Sequence, residues 1–134
     1  MTQSLRNLTL VFSAGCVGGV ANSLAVWGMG KSGITGAMGV QFVPDWTPAW
    51  LYPRIVWGGI WGVLFLLPLM RSSVFWRGIL FSLGPTLAVL LIVLPFQAGK
   101  GYFGLELGLM TPVFALIVNA VWGICTAAWL RAVE

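Results

Sequence analysis

Histidine is absent from this sequence of 134 residues, and acidic residues number only three. Without imidazole, the chain lacks the most common ligand of haem and of many zinc and iron sites. The three acidic residues, Asp45, Glu106 and Glu134, are too far apart in sequence to suggest a catalytic acid–base pair. We therefore predict no cofactor, no metal site and no enzymatic activity.

Charge of either sign is scarce, at 7% of residues, compared with about 25% in an ordinary soluble domain. Hydrophobic residues make up 59% of the chain, and its mean hydropathy is +0.96. The seven basic residues are scattered singly, so they do not form the one-sided basic face that nucleic-acid binding needs. The composition predicts a protein whose partner is the lipid bilayer, and it excludes nucleic acid.

Four apolar runs are long enough to cross a bilayer, which takes roughly 20 helical residues. Lipid offers no partner to an unpaired backbone N–H or C=O group, so these runs must be helices. The sequence therefore predicts an all-α integral membrane protein with one four-helix transmembrane domain over residues 1–134. The predicted crossings lie at about 8–27, 49–69, 75–95 and 109–130.

A short pattern occurs once in each half of the chain, which predicts two tandem helical hairpins, at about 8–70 and 75–131. Each half reads as helix, Gly-Lys, Thr-Pro, then a helix that contains Val-Trp-Gly. Two crossings per half give both halves the same orientation, as in a parallel repeat. In each Thr-Pro pair, at Thr47 and Thr111, we expect Thr to cap the helix and Pro to occupy its first turn.

The basic residues predict the orientation, because positively charged loops stay on the cytoplasmic side. Both termini are therefore expected in the cytoplasm, in a cell membrane of the bacterial inner-membrane type. The difference between the two sides is small, so a dual orientation is an open alternative. One side carries Arg6, Arg71, Arg77 and Arg131, and the other carries Lys31, Arg54 and Lys100.

The two outer connections, residues 28–47 and 96–110, are longer than the inner turn and rich in glycine. Glycine permits close backbone packing, so these segments could fold against the bundle or dip into it. Plain flexible loops are the alternative interpretation.

Polar residues inside the apolar runs give the candidate ligand site, which consists of Asn22, Arg54, Glu106 and Asn119. We predict that Arg54 points into the protein and pairs with Glu106, because a buried charge needs a partner. The alternative for Arg54 is that it extends outward to the lipid headgroups. For the two asparagines, the alternative is simple hydrogen bonding between helices.

Small residues recur at four-residue spacing in every apolar run, as at Gly58 and Gly62. Such spacing lets helices pack closely, either within one chain or between subunits. The sequence thus favours a non-catalytic, self-associating or accessory membrane subunit, with a homo-oligomer or another membrane protein as partner. A small channel or transporter for an anion or small solute, with a polar site in the outer half, is the alternative.

Overall fold

Helices account for nearly all regular structure in this protein. The structure is a computed structural model, and it describes residues 2–133. Four helical segments are long and apolar enough to cross a membrane, which confirms this part of the predicted fold: Gln3–Ser32, Pro48–Leu66, Val74–Gln97 and Thr111–Val133. The elements in chain order are α1 (Gln3–Ser32), α2 (Ile34–Ala37), α3 (Pro48–Trp61), a 3-10 helix (Gly62–Leu66), α4 (Val74–Ala88), a π-helix (Val89–Gln97), a 3-10 turn (Tyr102–Gly104) and α5 (Thr111–Val133).

Capping groups make α1 longer than its predicted crossing. The Thr2 side chain accepts a hydrogen bond from the Leu5 N–H, so the helix starts five residues earlier than the apolar run. At the other end, Gly33 adopts a left-handed φ of 88°, and its N–H bonds to the Gly30 carbonyl. This is the usual glycine stop signal of a helix.

The two Thr-Pro pairs behave differently. Thr47 caps α3 as predicted, because its side chain accepts from the Trp50 N–H and Pro48 occupies the first turn. The prediction for Thr111 is wrong. The first turn of α5 starts one residue earlier, with the Phe114 N–H bonded to the Met110 carbonyl, and the Thr111 hydroxyl has no hydrogen-bond partner within residues 2–133.

Helix pairs cross where glycines face each other. In the α1–α3 crossing, a Cβ atom on Gly15 would overlap the Gly58 carbonyl oxygen. In the α4–α5 crossing, a Cβ atom on Gly123 would overlap the Gly78 carbonyl oxygen. α1 also packs along α5, which makes α1 and α5 the central pair of the bundle. These small-residue seams are therefore used for packing within one chain.

The indole of Trp122 joins three helices at this crossing. It is 3% exposed, and its Nε1–H lies 3.2 Å from the Gly15 carbonyl oxygen and 3.3 Å from that of Gly58. The glycines expose these carbonyls to a side chain from α5, because no Cβ covers them.

The outer connections pack on the bundle, as the first of their two interpretations expects. They are joined to each other by a bond from the Gln41 N–H to the Leu107 carbonyl at 2.9 Å. Val40 is buried in an apolar cluster with Val26 of α1 and Phe114 of α5. The end of the bundle that carries these segments is called the outer end below, and the opposite end of the bundle is called the inner end.

Arg77 is buried near the inner end. In the sequence it counts only among the basic residues that predict orientation, and this does not indicate its burial. Its side chain is 7% exposed and lies over the rings of Phe65 and Phe81. Its Nη2 donates to the carbonyl oxygens of Phe65, at 2.7 Å, and Leu67, at 3.4 Å. These carbonyls belong to the last turn of the 3-10 helix and the residue after it, so Arg77 provides donors where the helix ends.

We expect Arg77→Leu to lower the free energy of unfolding by about 1.5–3 kcal/mol, the usual range for hydrogen bonds to a charged group. The physical reason is that the carbonyls of Phe65 and Leu67 lose their donor. Reversible unfolding of the purified protein in mild detergent measures the effect. Arg6→Leu, at an exposed position of α1, is the matched control. Equal stability of the two variants would contradict this role of Arg77.

Candidate functional site

A continuous chain of hydrogen bonds crosses all four long helices in the outer half of the bundle. Arg54 on α3 donates from Nε to the Ser23 Oγ at 3.0 Å and from Nη2 to the Asn22 Oδ1 at 2.5 Å. Asn22 donates from Nδ2 to the Asn119 Oδ1 at 3.2 Å. Asn119 in turn donates from Nδ2 to the Thr86 Oγ1 of α4 at 3.1 Å. We call these five residues the polar layer.

Backbone carbonyls fix the direction of the bonds in the polar layer. The Ser23 hydroxyl donates to the Gly19 carbonyl at 2.8 Å, and the Thr86 hydroxyl donates to the Ser82 carbonyl at 2.7 Å. Both hydroxyl oxygens are thus left to act as acceptors for the partner helix. In a medium of low dielectric constant, a hydrogen-bonded network of this kind holds its members in one geometry.

Arg54 is half-buried, and its guanidinium lies inside the bundle. It is the seventh residue of α3, which places its backbone about 9 Å along the helix from the first residue. The guanidinium carbon also lies 4.6 Å from the centre of the Trp50 ring, in a cation–π contact. These contacts support the predicted inward direction of Arg54 over the headgroup alternative.

The predicted ion pair between Arg54 and Glu106 is wrong. Glu106 is exposed in the second outer connection, whereas the Arg54 guanidinium bonds to Asn22 and Ser23 of α1. Within residues 2–133 the ion pair is that of Lys31 and Asp45, at 3.4 Å on the surface. The guanidinium turns toward α1 because α1, which packs directly on α3, presents two oxygen acceptors there.

Two cavities meet at the polar layer. The lateral cleft, of about 210 Å³, lies between α3 and α4 over a floor formed by α1 and α5; its lining includes Gly19, Asn22, Pro53, Trp57, Trp61 and Pro85. The apolar cavity, of about 270 Å³, extends from the polar layer to the outer connections; its lining includes Val26, Phe42, Val93, Leu94, Phe114 and Val118. Arg54, Val89 and Asn119 line both.

Thr111 contributes an unusual group to the wall of the apolar cavity. The residue is 3% exposed, and its Oγ1 is buried without a hydrogen-bond partner among the described residues. Buried hydroxyls are nearly always bonded, to protein, to water or to a ligand. The polar residues in the lining of the apolar cavity are Arg54, Asn119 and Thr111.

The structure brings together three of the four predicted site residues, Asn22, Arg54 and Asn119, and leaves Glu106 outside. Sequence reasoning missed the hydroxyl members, Ser23 and Thr86. Serine and threonine are common in transmembrane helices, and each of these can satisfy itself on its own helix. The usable signal was position, because each lies four residues after a small residue that faces a helix crossing, Gly19 or Ser82.

No family model, curated protein or solved structure matches this chain. Its function is therefore inferred from the contacts of Arg54 and from the two cavities.

The Arg54–Asn22 contact predicts a specific pattern of stabilities. Asn22→Leu leaves the guanidinium without one acceptor, so we expect a loss of about 1–3 kcal/mol in unfolding free energy. The double variant with Arg54→Leu removes both partners, so it should lose less than the sum of the two single variants. Thermal unfolding in detergent provides the four stabilities of the cycle.

Glu106→Gln is the control for this cycle, and we expect it to leave stability unchanged. Additive losses in the cycle, or a Glu106→Gln variant as unstable as Asn22→Leu, would contradict the contacts assigned to Arg54.

Proposed function

We propose that this chain is a non-catalytic, multi-pass membrane protein that binds a small anion at Arg54 and lets it cross the membrane, as a small channel or transporter. The observation that carries the proposal is the Arg54 guanidinium. It lies inside the bundle, has no ion pair within residues 2–133, and lines both cavities.

Electrostatics favour an anionic ligand at this position. A charged side chain at the centre of a membrane helix costs about 2.5–3.5 kcal/mol on insertion scales. Asn22 and Ser23 provide neutral oxygen acceptors, which orient the guanidinium but do not cancel its charge. A guanidinium has five N–H donors, and the bonds to Asn22 and Ser23 use two of them. A small anion in the cavities would neutralise the charge and engage the remaining donors.

The two cavities provide routes of access. The apolar cavity reaches the outer connections at Phe42, Ala98 and Leu107, and the lateral cleft opens between α3 and α4. Val89, in both linings, begins a π-helix of nine residues. Irregular helical turns of this type are frequent at functional sites. A solute that reached Arg54 through either cavity would contact the same polar layer.

We further propose that the two hairpins arose by duplication, as a parallel repeat. The bond from Arg54 to Ser23 has a counterpart in the bond from Asn119 to Thr86, and in each half the donor lies four residues before the glycine at the helix crossing. The position that corresponds to Asn22 is then occupied by Pro85, which cannot bond across to α3. The lateral cleft lies at Pro85.

Self-association is a second proposal, in which the chain acts as a subunit of a homo-oligomer or of a larger membrane assembly. Its support is that the spans of α3 and α4 are less buried than those of α1 and α5. The facing glycines do not add support, because they pack within the chain. Mass measurement in lipid nanodiscs tests it: a dimer or larger species is expected, and a strict monomer without a copurified partner would contradict it.

We also propose that the protein resides in a bacterial inner membrane with both termini in the cytoplasm. Arg71 and Arg131 support this orientation, since they meet at the inner end, where the Arg131 Nη2 donates to the Arg71 carbonyl at 2.9 Å. Basic residues at one end favour the cytoplasmic side.

Flux through liposomes tests the transport proposal. We expect liposomes with the wild-type protein to release chloride or acetate under an imposed potential, and Arg54→Gln to slow this release at least tenfold. Arg54→Lys keeps the charge but not the fork of donors, so an intermediate rate is expected. Arg6→Gln, far from the polar layer, is the control and should match the wild type. Equal release from wild type, Arg54→Gln and empty liposomes would contradict the proposal.

A further inference from the structure

We infer that the ligand of the Arg54 site is a small amphipathic carboxylate, with its anionic group at Arg54 and its apolar part in the adjoining apolar cavity. This inference rests on the proposed function and specifies the class of solute.

The positions of the lining residues connect the charge to the apolar space. Arg54 and Asn119 line the apolar cavity as well as the lateral cleft, so a group bound to the guanidinium already faces apolar walls. Those walls include Val93 and Leu94 of the π-helix and Phe114 of α5. An inorganic anion would leave these walls without contact, whereas a short hydrocarbon chain would fill the space between them.

Charge balance favours a carboxylate over a phosphate monoester. Arg54 provides one positive charge, and no second cationic residue lines either cavity among the described residues. A monoanion is neutralised by that charge. A phosphate monoester carries up to two negative charges near neutral pH, so part of its charge would stay uncompensated inside the membrane.

The size of the cavity limits the apolar part. Its volume of about 270 Å³ lies just below the range of roughly 300–1,000 Å³ that is usual for drug-sized ligands. A chain of several carbon atoms fits this space, and a phospholipid with two acyl chains does not.

Thr111 is a further polar residue in the lining of the apolar cavity. Its hydroxyl is buried in the cavity wall and has no partner among the described residues. Thr111 and Asn119 are eight residues apart on α5, so about 12 Å of helix separates them. The lining of the apolar cavity therefore extends along this length of α5 from the polar layer.

Calorimetric titration of the protein in nanodiscs tests the inference, with empty nanodiscs subtracted to remove partitioning into lipid. The probes are acetate, hexanoate and uncharged hexan-1-ol. Each methylene group that leaves water strengthens binding roughly fourfold, so we expect hexanoate to bind at least tenfold more tightly than acetate. Hexan-1-ol should bind at least tenfold more weakly than hexanoate, because it lacks the anionic group.

Matched variants locate the apolar part. Val93→Phe fills the apolar cavity, so we expect it to weaken hexanoate binding at least fivefold and acetate binding by a smaller factor. Val113→Phe makes the same change at a position of α5 that is 40% exposed, and it should bind hexanoate like the wild type.

Equal affinities for acetate and hexanoate in the wild type would overturn the inference without any variant. Equal hexanoate affinities of Val93→Phe and Val113→Phe would also overturn it. If acetate binds and crosses the membrane in these cases, the proposed function survives and only the amphipathic ligand is lost. If neither carboxylate binds and no anion is released from liposomes, the proposed function fails as well.

Discussion

The hydrogen bonds from the Arg54 guanidinium to Asn22 and Ser23 are the interaction on which the rest of this structure depends. They hold a full positive charge inside the outer half of the bundle, where almost no other charge lies in the interior. α1 and α3 also approach each other closely beside this contact, where the facing glycines Gly15 and Gly58 leave no room for a Cβ atom. The same pair of helices therefore provides both the small-residue packing and the acceptors for the Arg54 charge.

The asymmetry of the bundle follows from the same layer. Asn22 connects α1 to α5 by bonds to Asn119 and to the Val118 carbonyl, so these two helices form a tight central pair. The 3-10 helix after α3 meets α4 toward the inner end, where the Phe65 and Phe81 rings are 4.7 Å apart. The lateral cleft lies between α3 and α4 farther out. The bundle therefore has open space beside the half-buried charge of Arg54. This coincidence of charge and space is the basis of the proposed anion site.

The four crossings follow from the length of the apolar runs, since bilayer thickness and backbone hydrogen bonding leave few alternatives. Asn22, Arg54 and Asn119 could also be selected from the sequence, because they are polar residues within those apolar runs. The partner of Arg54 could not be predicted, because the sequence does not define the rotation of each helix about its axis. The burial of Arg77 depends on where the helix after Trp61 ends. Pro68 indicates that end, but it does not indicate that the free carbonyls there bond to Arg77. Thr111 differs from Thr47 only by a shift of one residue in the helix start.

Crystals of the protein soaked in bromide would test the anion site most directly, because anomalous scattering locates this ion without reference to any functional assay. The expected result is a bromide beside the Arg54 guanidinium, at the junction of the two cavities, that disappears in Arg54→Gln. Bromide bound at exposed lysines and arginines alone, with Arg54 paired to a carboxylate of the chain, would contradict the site.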